Sequence, residues 1–250
     1  MSRIPVIERT RGAGLELSVR TWNAGRAGLP IVALHGITNS GAQWTATAEA
    51  LADARRFVAF DARGHGESDW DPGEAYAVDM HFADVATALD ALGIERCLLA
   101  GFSMGGGVAI LTAACLPERV AGVAVIDAYP HPEQSPGSAG IARWVAERAH
   151  VTRRFDPAIS RHFRELLAEG VATRADLRAM WAAIGCPALV VRGEASTVLT
   201  AGTADAMLQA LPHARLHTFP GVGHDIPEQR PSELAGLLAS FADELERREA

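Results

Sequence analysis

A serine between two glycines is the clearest candidate for a reactive side chain in this sequence. Ser103 lies in the run L-L-A-G-F-S-M-G-G-G, with Gly101 and Gly105 at the outer positions of G-x-S-x-G. This spacing is typical of a nucleophile held in a sharp turn between a strand and a helix, where only glycine lets the backbone pass closely. The helix expected from Met104 onward directs its free amides at negative charge formed beside the serine oxygen. A serine hydroxyl is protonated at neutral pH, so chemistry at Ser103 also needs a base within hydrogen-bond reach.

The same spacing also occurs in ordinary glycine-rich turns that carry no chemistry. Here an apolar run precedes the turn and a helix of small residues follows it. This context favours the nucleophile over the plain turn.

Composition limits the kinds of chemistry and partner. The 250 residues are enough for one large α/β domain, and the net charge of -7, with both signs interspersed, gives no indication of nucleic-acid binding. All 23 basic residues are arginines. The absence of lysine excludes a lysine Schiff base, pyridoxal-phosphate anchoring and a P-loop lysine.

The sequence shows neither a secretory signal nor an apolar run of the roughly 20 residues that a membrane span needs. We therefore expect a cytoplasmic protein with no membrane partner. Cys97, Cys115 and Cys186 are odd in number and lie in or beside apolar elements, so we expect buried free thiols. The oligomeric state is left open, with a homodimer as one option.

Alternating apolar and amphipathic segments predict an α/β fold with a mostly parallel, eight-stranded sheet and helices on both faces. Strands are predicted at Val6–Arg9, Leu15–Trp22, Ile31–Leu34, Phe57–Phe60, Arg96–Ala100, Val120–Ile126, Ala188–Val191 and Arg215–Phe219, the first two as an antiparallel hairpin. Helices are predicted at Gln43–Ala52, Val78–Leu92, Val108–Leu116, Thr203–Leu211 and Pro231–Arg248.

Residues 128–182 interrupt this alternation after the sixth strand. A proline-rich entry, Tyr129–Pro136, leads into amphipathic segments at Ile141–Ala149, Ala158–Ala168 and Ala175–Ile184. We expect this segment to form a short helical cap over the carboxyl ends of the strands, where open parallel sheets bind ligands. The core domain would then comprise residues 1–127 and 183–250, with the pocket between core and cap.

Four motifs in this order resemble the α/β-hydrolase superfamily. They are H-G-I-T at His35, D-A-R-G-H-G-E-S at Asp61, G-F-S-M-G-G around Ser103 and P-G-V-G-H ending at His224. The resemblance covers nearly the whole chain and implies the α/β-hydrolase fold, but it says little about the substrate. It also implies a role for His224 as the general base for Ser103, and for the amides of Ile37 and Met104 as an oxyanion hole.

The third member of the expected triad departs from the family pattern. In most relatives the acid follows the strand at Ala188–Val191, but here the count from Gly193 falls on Ser196 or Thr197, which carry no charge. Some relatives place the acid one strand earlier, which implies Asp127 at the end of V-A-V-I-D. Glu194 is the alternative acid, and a serine–histidine dyad without any acid is the third option.

Other polar and aromatic residues have both structural and functional interpretations. Asp61, Arg63 and His65 are expected to brace their own loop. Candidates for substrate binding are His35, Trp144 and Trp181, although His35 also fits as a partner of that loop and the tryptophans as cap packing. Six arginines of the cap would form a solvated face or meet a substrate carboxylate: Arg143, Arg148, Arg153, Arg154, Arg161 and Arg164. No spacing indicates a metal or an organic cofactor.

Together these patterns predict a serine hydrolase that cleaves a small or medium carboxylic ester or lactone, with a thioester as a further option. The serine at position 103 argues against dehalogenase and epoxide hydrolase chemistry, which in this superfamily use an aspartate there. Two alternatives from other classes are a lyase or cyclase on the same scaffold and a ligand-binding homologue without turnover. Labelling of Ser103 by a fluorophosphonate would exclude the last.

Overall fold

A computed structural model describes residues 4–51, 54–130, 155–159, 161 and 176–249. Its eight strands are β1 (Val6–Arg11), β2 (Glu16–Trp22), β3 (Ile31–Leu34), β4 (Phe57–Phe60), β5 (Cys97–Phe102), β6 (Val120–Ile126), β7 (Ala188–Gly193) and β8 (Arg215–Phe219). They form one sheet in the order β1-β2-β4-β3-β5-β6-β7-β8. β2 runs antiparallel to β1 and β4, and the six strands from β4 through β3 to β8 are parallel to one another. The predicted mostly parallel, eight-stranded sheet is confirmed.

Helices cover both faces of this sheet, because the strand side chains alternate between two cores. The helices are α1 (Thr45–Ala50, after a 3₁₀ turn at Gly41–Trp44), α2 (Val78–Ala91), α3 (Met104–Cys115), α4 (Leu177–Ala182), α5 (Ala201–Ala210), α6 (Ile226–Gln229) and α7 (Pro231–Glu249). On one face, Val32 packs with residues of α2 to α5. On the other, Ala33 packs with residues of α1 and α7.

The strand register brings five loops together at the carboxyl edge of the sheet. β3 pairs with β5, β5 with β6, β6 with β7, and β7 with β8. The loops that leave β3, β5, β6, β7 and β8 therefore emerge side by side, and they carry Ile37, Ser103, Asp127, Ser196 and His224 respectively. This edge is where ligands bind in open α/β sheets.

Most of the predicted cap, including Trp144, lies outside the described residues. The described piece at 155–159 is tied to the core near Gly64. Asp156 N donates to the carbonyl oxygen of Gly64 at 2.8 Å, and the Tyr76 hydroxyl donates to the Asp156 carboxylate at 2.5 Å. Phe155 forms an isolated β-bridge with His65. These contacts fix one point of the cap segment against the core.

The three cysteines are free, but they are not all buried. Cys97 and Cys186 are buried, and burial raises the pKa of their thiols to about 12 and about 11. Cys115 is exposed at the end of α3, which corrects the expectation of a buried thiol there. Within the described ranges, no helix is both long enough and apolar enough to cross a bilayer.

Candidate active site

Ser103 lies at the tip of a strained turn between β5 and α3. Its φ of 52° and ψ of -116° are rarely adopted by a residue with a side chain. A Cβ at Gly101 would lie 2.2 Å from the carbonyl oxygen of Gly105, and a Cβ at Gly105 would lie 2.5 Å from that of Leu34. Both glycines of the motif are therefore required by backbone contacts. The Ser103 amide donates to the Ile126 carbonyl at 3.0 Å, which ties the turn to the end of β6.

A continuous hydrogen-bonded chain runs from Ser103 to a buried carboxylate. The Oγ of Ser103 lies 3.1 Å from Nε2 of His224, and Nδ1 of His224 lies 2.6 Å from Oδ2 of Asp127. Because a carboxylate only accepts, the neutral imidazole carries its proton on Nδ1 and leaves the Nε2 lone pair for the serine hydroxyl. This arrangement lets His224 take the proton of Ser103 during nucleophilic attack.

Asp127 is fully buried, and its carboxylate is satisfied by three donors. The amide of Gly193 donates to Oδ1 at 3.1 Å, whereas Ser196 Oγ at 2.5 Å and His224 Nδ1 both donate to Oδ2. A buried carboxylate is tolerated only with such partners. Asp127 itself has a φ of 43°, and its amide donates to Val191 of β7 at 2.7 Å. The turn after β6 thus aims the carboxylate at the loops after β7 and β8.

Glu194, the alternative acid, is not brought to His224. Its side chain is exposed, and its Oε2 accepts a hydrogen bond from the amide of Gly221 at 2.8 Å. The same strand end fixes the histidine loop through Gly193, where a Cβ would lie 2.2 Å from the carbonyl oxygen of Gly223. Glu194 therefore braces the loop that carries His224 and does not orient its ring.

The backbone after β3 lies beside the nucleophile turn. Gly105 N donates to the carbonyl oxygen of His35 at 3.1 Å, which joins the two segments. A ring nitrogen of His65, Nε2, lies 2.7 Å from the carbonyl oxygen of Ile37 and fixes that peptide. Within the part of the chain that the structure describes, the amides of Ile37 and Met104 donate to no acceptor. Two such amides near Ser103 suit an oxyanion formed on a substrate carbonyl.

The D-A-R-G-H-G-E-S segment braces this edge of the sheet. Asp61, which is completely buried, accepts from the amides of Gly41 at 2.7 Å and Glu67 at 2.9 Å and pairs with Arg20. Arg63 is equally buried and forms an ion pair with Asp84 at 2.6 Å. Such paired and hydrogen-bonded charges hold the loop in place, as the sequence predicts.

The comparisons with known proteins agree with this architecture. Residues 30–144 match the family described as the alpha/beta hydrolase fold. The enol-lactonase from Burkholderia xenovorans LB400 superposes with a TM-score of 0.77 at 21% identity, covering 94% of this chain and 99% of that one. The chain has the α/β-hydrolase fold.

The chain covers very different shares of two curated relatives. It is 39% identical to mouse "Epoxide hydrolase 4" over 111 residues, which is 44% of this chain and 31% of that protein. It is 26% identical to mouse "sn-1-specific diacylglycerol lipase ABHD11", over 87% of this chain and 82% of that protein. The chain thus spans about a third of the length of the first curated relatives it matches.

Two of the predicted substrate-binding residues, His35 and Trp181, are buried and hydrogen-bonded inside the protein. His35 is 1% exposed, its Nε2 accepts from the amide of Ala62 at 2.9 Å, and its Nδ1 donates to Gly36 O at 2.7 Å. Burial, followed by repulsion from His65, holds the pKa of His35 well below its ordinary value, so the ring is neutral. Trp181 is 1% exposed, and its indole nitrogen donates to a carbonyl oxygen of α5 at 2.9 Å. Both side chains are thus held by hydrogen bonds inside the protein, and contact of either one with a substrate stays a prediction.

Apolar side chains from the core and the cap meet beside the nucleophile. The buried members of this cluster are Ile37, Tyr76, Ala158 and Ile159, with Met104 and Phe155 packed against them. The two residues whose amides border Ser103 thus present their side chains to the cap segment. This cluster forms an apolar wall next to the reacting groups. Among the described residues, no group of His, Cys, Asp and Glu side chains is arranged to hold a metal ion.

Sequence reasoning missed two neighbours of the triad. The ring of Phe102 lies 4.8 Å from that of His224, tilted by 36°, and so supports the imidazole from the β5 side. Ser196 contacts Asp127 directly, although the sequence showed only that it could not replace the acid. The sequence position of Ser196 could have indicated this contact, since Ser196 occupies the place where the acid usually lies.

Proposed function

We propose that this chain is a serine hydrolase that cleaves a small or medium carboxylic ester or lactone through an acyl-enzyme on Ser103. The observation that carries the proposal is the hydrogen-bonded chain from Ser103 through His224 to Asp127. A hydroxyl joined to an imidazole, itself held by a buried carboxylate, is an activated nucleophile for acyl transfer.

In the first half of the reaction, Ser103 Oγ forms a bond to the substrate carbonyl carbon while its proton passes to Nε2 of His224. The carbonyl oxygen becomes an oxyanion that the amides of Ile37 and Met104 stabilise. As the tetrahedral intermediate collapses, the bond to the leaving oxygen breaks and His224 returns the proton to it. An ester loses an alcohol at this step, whereas a lactone keeps its new hydroxyl attached to the acyl chain.

In the second half, water attacks the acyl-enzyme. His224 takes a proton from that water, and the same two amides stabilise the second oxyanion. Collapse releases the carboxylic acid and returns the proton to Ser103 Oγ. The buried Asp127 carboxylate stabilises the imidazolium each time it forms.

The surroundings of the nucleophile support an uncharged acyl group. Ile37 and Met104 contribute side chains to the apolar wall described above, whose cap members are Ala158, Ile159 and Phe155. Burying a charged acyl group against these described side chains would cost free energy, because none of them carries a charge that could pair with it. The similarity to a diacylglycerol lipase and to an enol-lactonase is consistent with ester or lactone cleavage. Although an epoxide hydrolase is also among the relatives, a serine at the elbow favours carbonyl substrates.

The test combines a fluorophosphonate probe with a panel of p-nitrophenyl esters of increasing acyl length and of lactones. We expect the wild type and the surface control Ser232→Ala to label and turn over equally, and Ser103→Ala to do neither. Absence of labelling in the wild type, or equal labelling of Ser103→Ala, would refute the nucleophile. Strong labelling of Ser103 without turnover of any member of the panel would refute ester and lactone hydrolysis and favour the lyase alternative.

A further inference from the structure

The hydroxyl of Ser196 contacts the same carboxylate oxygen that His224 contacts. Ser196 Oγ lies 2.5 Å from Oδ2 of Asp127, and that oxygen lies 2.6 Å from Nδ1 of His224. Ser196 is 8% exposed, so water does not compete freely for this contact. The three groups form a compact buried cluster behind the imidazole.

The other contacts of Ser196 determine the direction of its hydrogen bond. A hydroxyl has one proton and two lone pairs. The amides of Val198 at 3.1 Å and Leu199 at 3.4 Å both donate to the Ser196 oxygen. Because those amides use the lone pairs, the hydroxyl proton is directed at Asp127.

We propose that Ser196 is a positioning residue that holds the Asp127 carboxylate in the plane and orientation that His224 requires. The inference rests on the proposed function, because it assigns a role within the same catalytic centre. Two donors from the end of β7 hold the carboxylate at two points: the Gly193 amide binds Oδ1 at 3.1 Å and the Ser196 hydroxyl binds Oδ2. A carboxylate held at both oxygens cannot rotate about its last bond, so Oδ2 stays directed at Nδ1.

The hydroxyl also alters the charge that His224 experiences. A hydrogen bond to Oδ2 withdraws part of the negative charge that would otherwise stabilise the imidazolium. When the hydroxyl is removed, the carboxylate attracts a protonated His224 more strongly, while its orientation is less well fixed. Loss of Ser196 therefore has two separable effects: a lower kcat and a base that stays protonated to higher pH.

The experiment compares Ser196→Ala with Thr197→Ala, which changes the exposed neighbouring hydroxyl. For p-nitrophenyl ester hydrolysis we expect kcat of Ser196→Ala to fall about tenfold, the loss associated with one hydrogen bond to a charged group. KM should change by less than about twofold, because Ser196 is buried and its hydroxyl is occupied by Asp127, Val198 and Leu199. The acid limb of the kcat/KM profile against pH should move to higher pH, and Thr197→Ala should match the wild type in all three quantities.

A purely structural role for Ser196 predicts a different pattern, namely a lower melting temperature without movement of the pH profile. That pattern, or an unchanged kcat, would overturn the proposal. If the alanine variant does not fold, Ser196→Cys decides, because a thiol keeps the size of the side chain but is a weak donor. It should show the same two effects in smaller measure. Failure of the proposed function would look different: Asp127→Asn would then leave the activity intact.

Discussion

Replacing Asp127 with asparagine tests the proposed mechanism where the structure is most specific about protons. Asparagine keeps the shape of aspartate but carries an NH₂ group in place of one oxygen. The Gly193 amide, which donates to Oδ1, cannot turn away, whereas the Ser196 hydroxyl at Oδ2 can rotate, so we expect the remaining oxygen at the Oδ1 position. The NH₂ group therefore replaces Oδ2 and faces Nδ1 of His224, which lies 2.6 Å from Oδ2 in the wild type.

This geometry forces the imidazole into the wrong tautomer. Nδ1 must accept from the NH₂ group, so the ring proton moves to Nε2 and points at the hydroxyl of Ser103. A protonated Nε2 cannot take the serine proton. The same substitution in the serine protease triad lowers kcat about 10⁴-fold, which corresponds to about 5.5 kcal/mol at about 1.36 kcal/mol for each factor of ten.

We expect Asp127→Asn to lower kcat for p-nitrophenyl acetate by about 10³-fold to 10⁴-fold. KM should stay within about threefold, because Asp127 is fully buried and does not face the substrate. The matched control is Glu194→Gln, which removes a carboxylate from the neighbouring loop that binds Gly221 and not His224. It should stay within about twofold of the wild type. The reasoning fails if folded Asp127→Asn keeps more than about a tenth of the wild-type kcat, or if Glu194→Gln loses as much.

Three further predictions follow from single contacts. Gly105→Ala places a methyl group 2.5 Å from a backbone carbonyl oxygen, so the free energy of unfolding measured in urea should fall by about 2 kcal/mol. A decrease below about 0.5 kcal/mol would contradict this steric clash. A hydrogen bond from Arg55 lowers the pKa of Glu246 from 4.5 to about 2, so its stabilisation is present above pH 4.5 and is lost as the pH falls towards 2. Because Glu246 is partly exposed, the expected effect is reduced: between pH 7 and pH 3 the free energy of unfolding of the wild type should fall by about 1 kcal/mol more than that of Glu246→Gln. Finally, the double variant Asp127→Asn/Ser196→Asp should have a kcat at least about tenfold higher than that of Asp127→Asn, because the side chain at position 196 already contacts the same oxygen. A folded double variant no faster than the single one would show that a carboxylate at position 196 does not reach His224.

The buried strands could be predicted well from the sequence, because a strand that is covered on both faces is a continuous apolar run. Val120–Ile126 and Phe57–Phe60 are apolar at every position, since both faces of the sheet are covered there, and both strands have the predicted bounds. The start of α3 was harder to locate. Its first turn carries three glycines, which are poor helix formers, although the backbone contact at Gly105 requires a glycine there.

The site could be predicted residue by residue only where a motif fixes the chemistry. The predictions that Ser103 and His224 meet, and that Asp127 is the acid beside the imidazole, agree with the observed distances. The role of Ser196 could not be predicted, because it depends on how two loops from different strands meet and not on any local pattern. The surroundings of Trp181 could not be predicted for a related reason: an aromatic residue in an amphipathic segment fits a pocket wall and a core equally well until its neighbours are known.

The adjacency of β6 and β7 has a consequence for how such chains are recognised. Because the two strand ends lie next to each other, a carboxylate behind the imidazole can come from the turn after β6 or from the turn after β7. Moving it from one turn to the other leaves the serine and the histidine in place. A search that requires an aspartate after β7 would discard this chain as inactive. A search that accepts a carboxylate after either strand, with a hydroxyl allowed at the other position, would retain it.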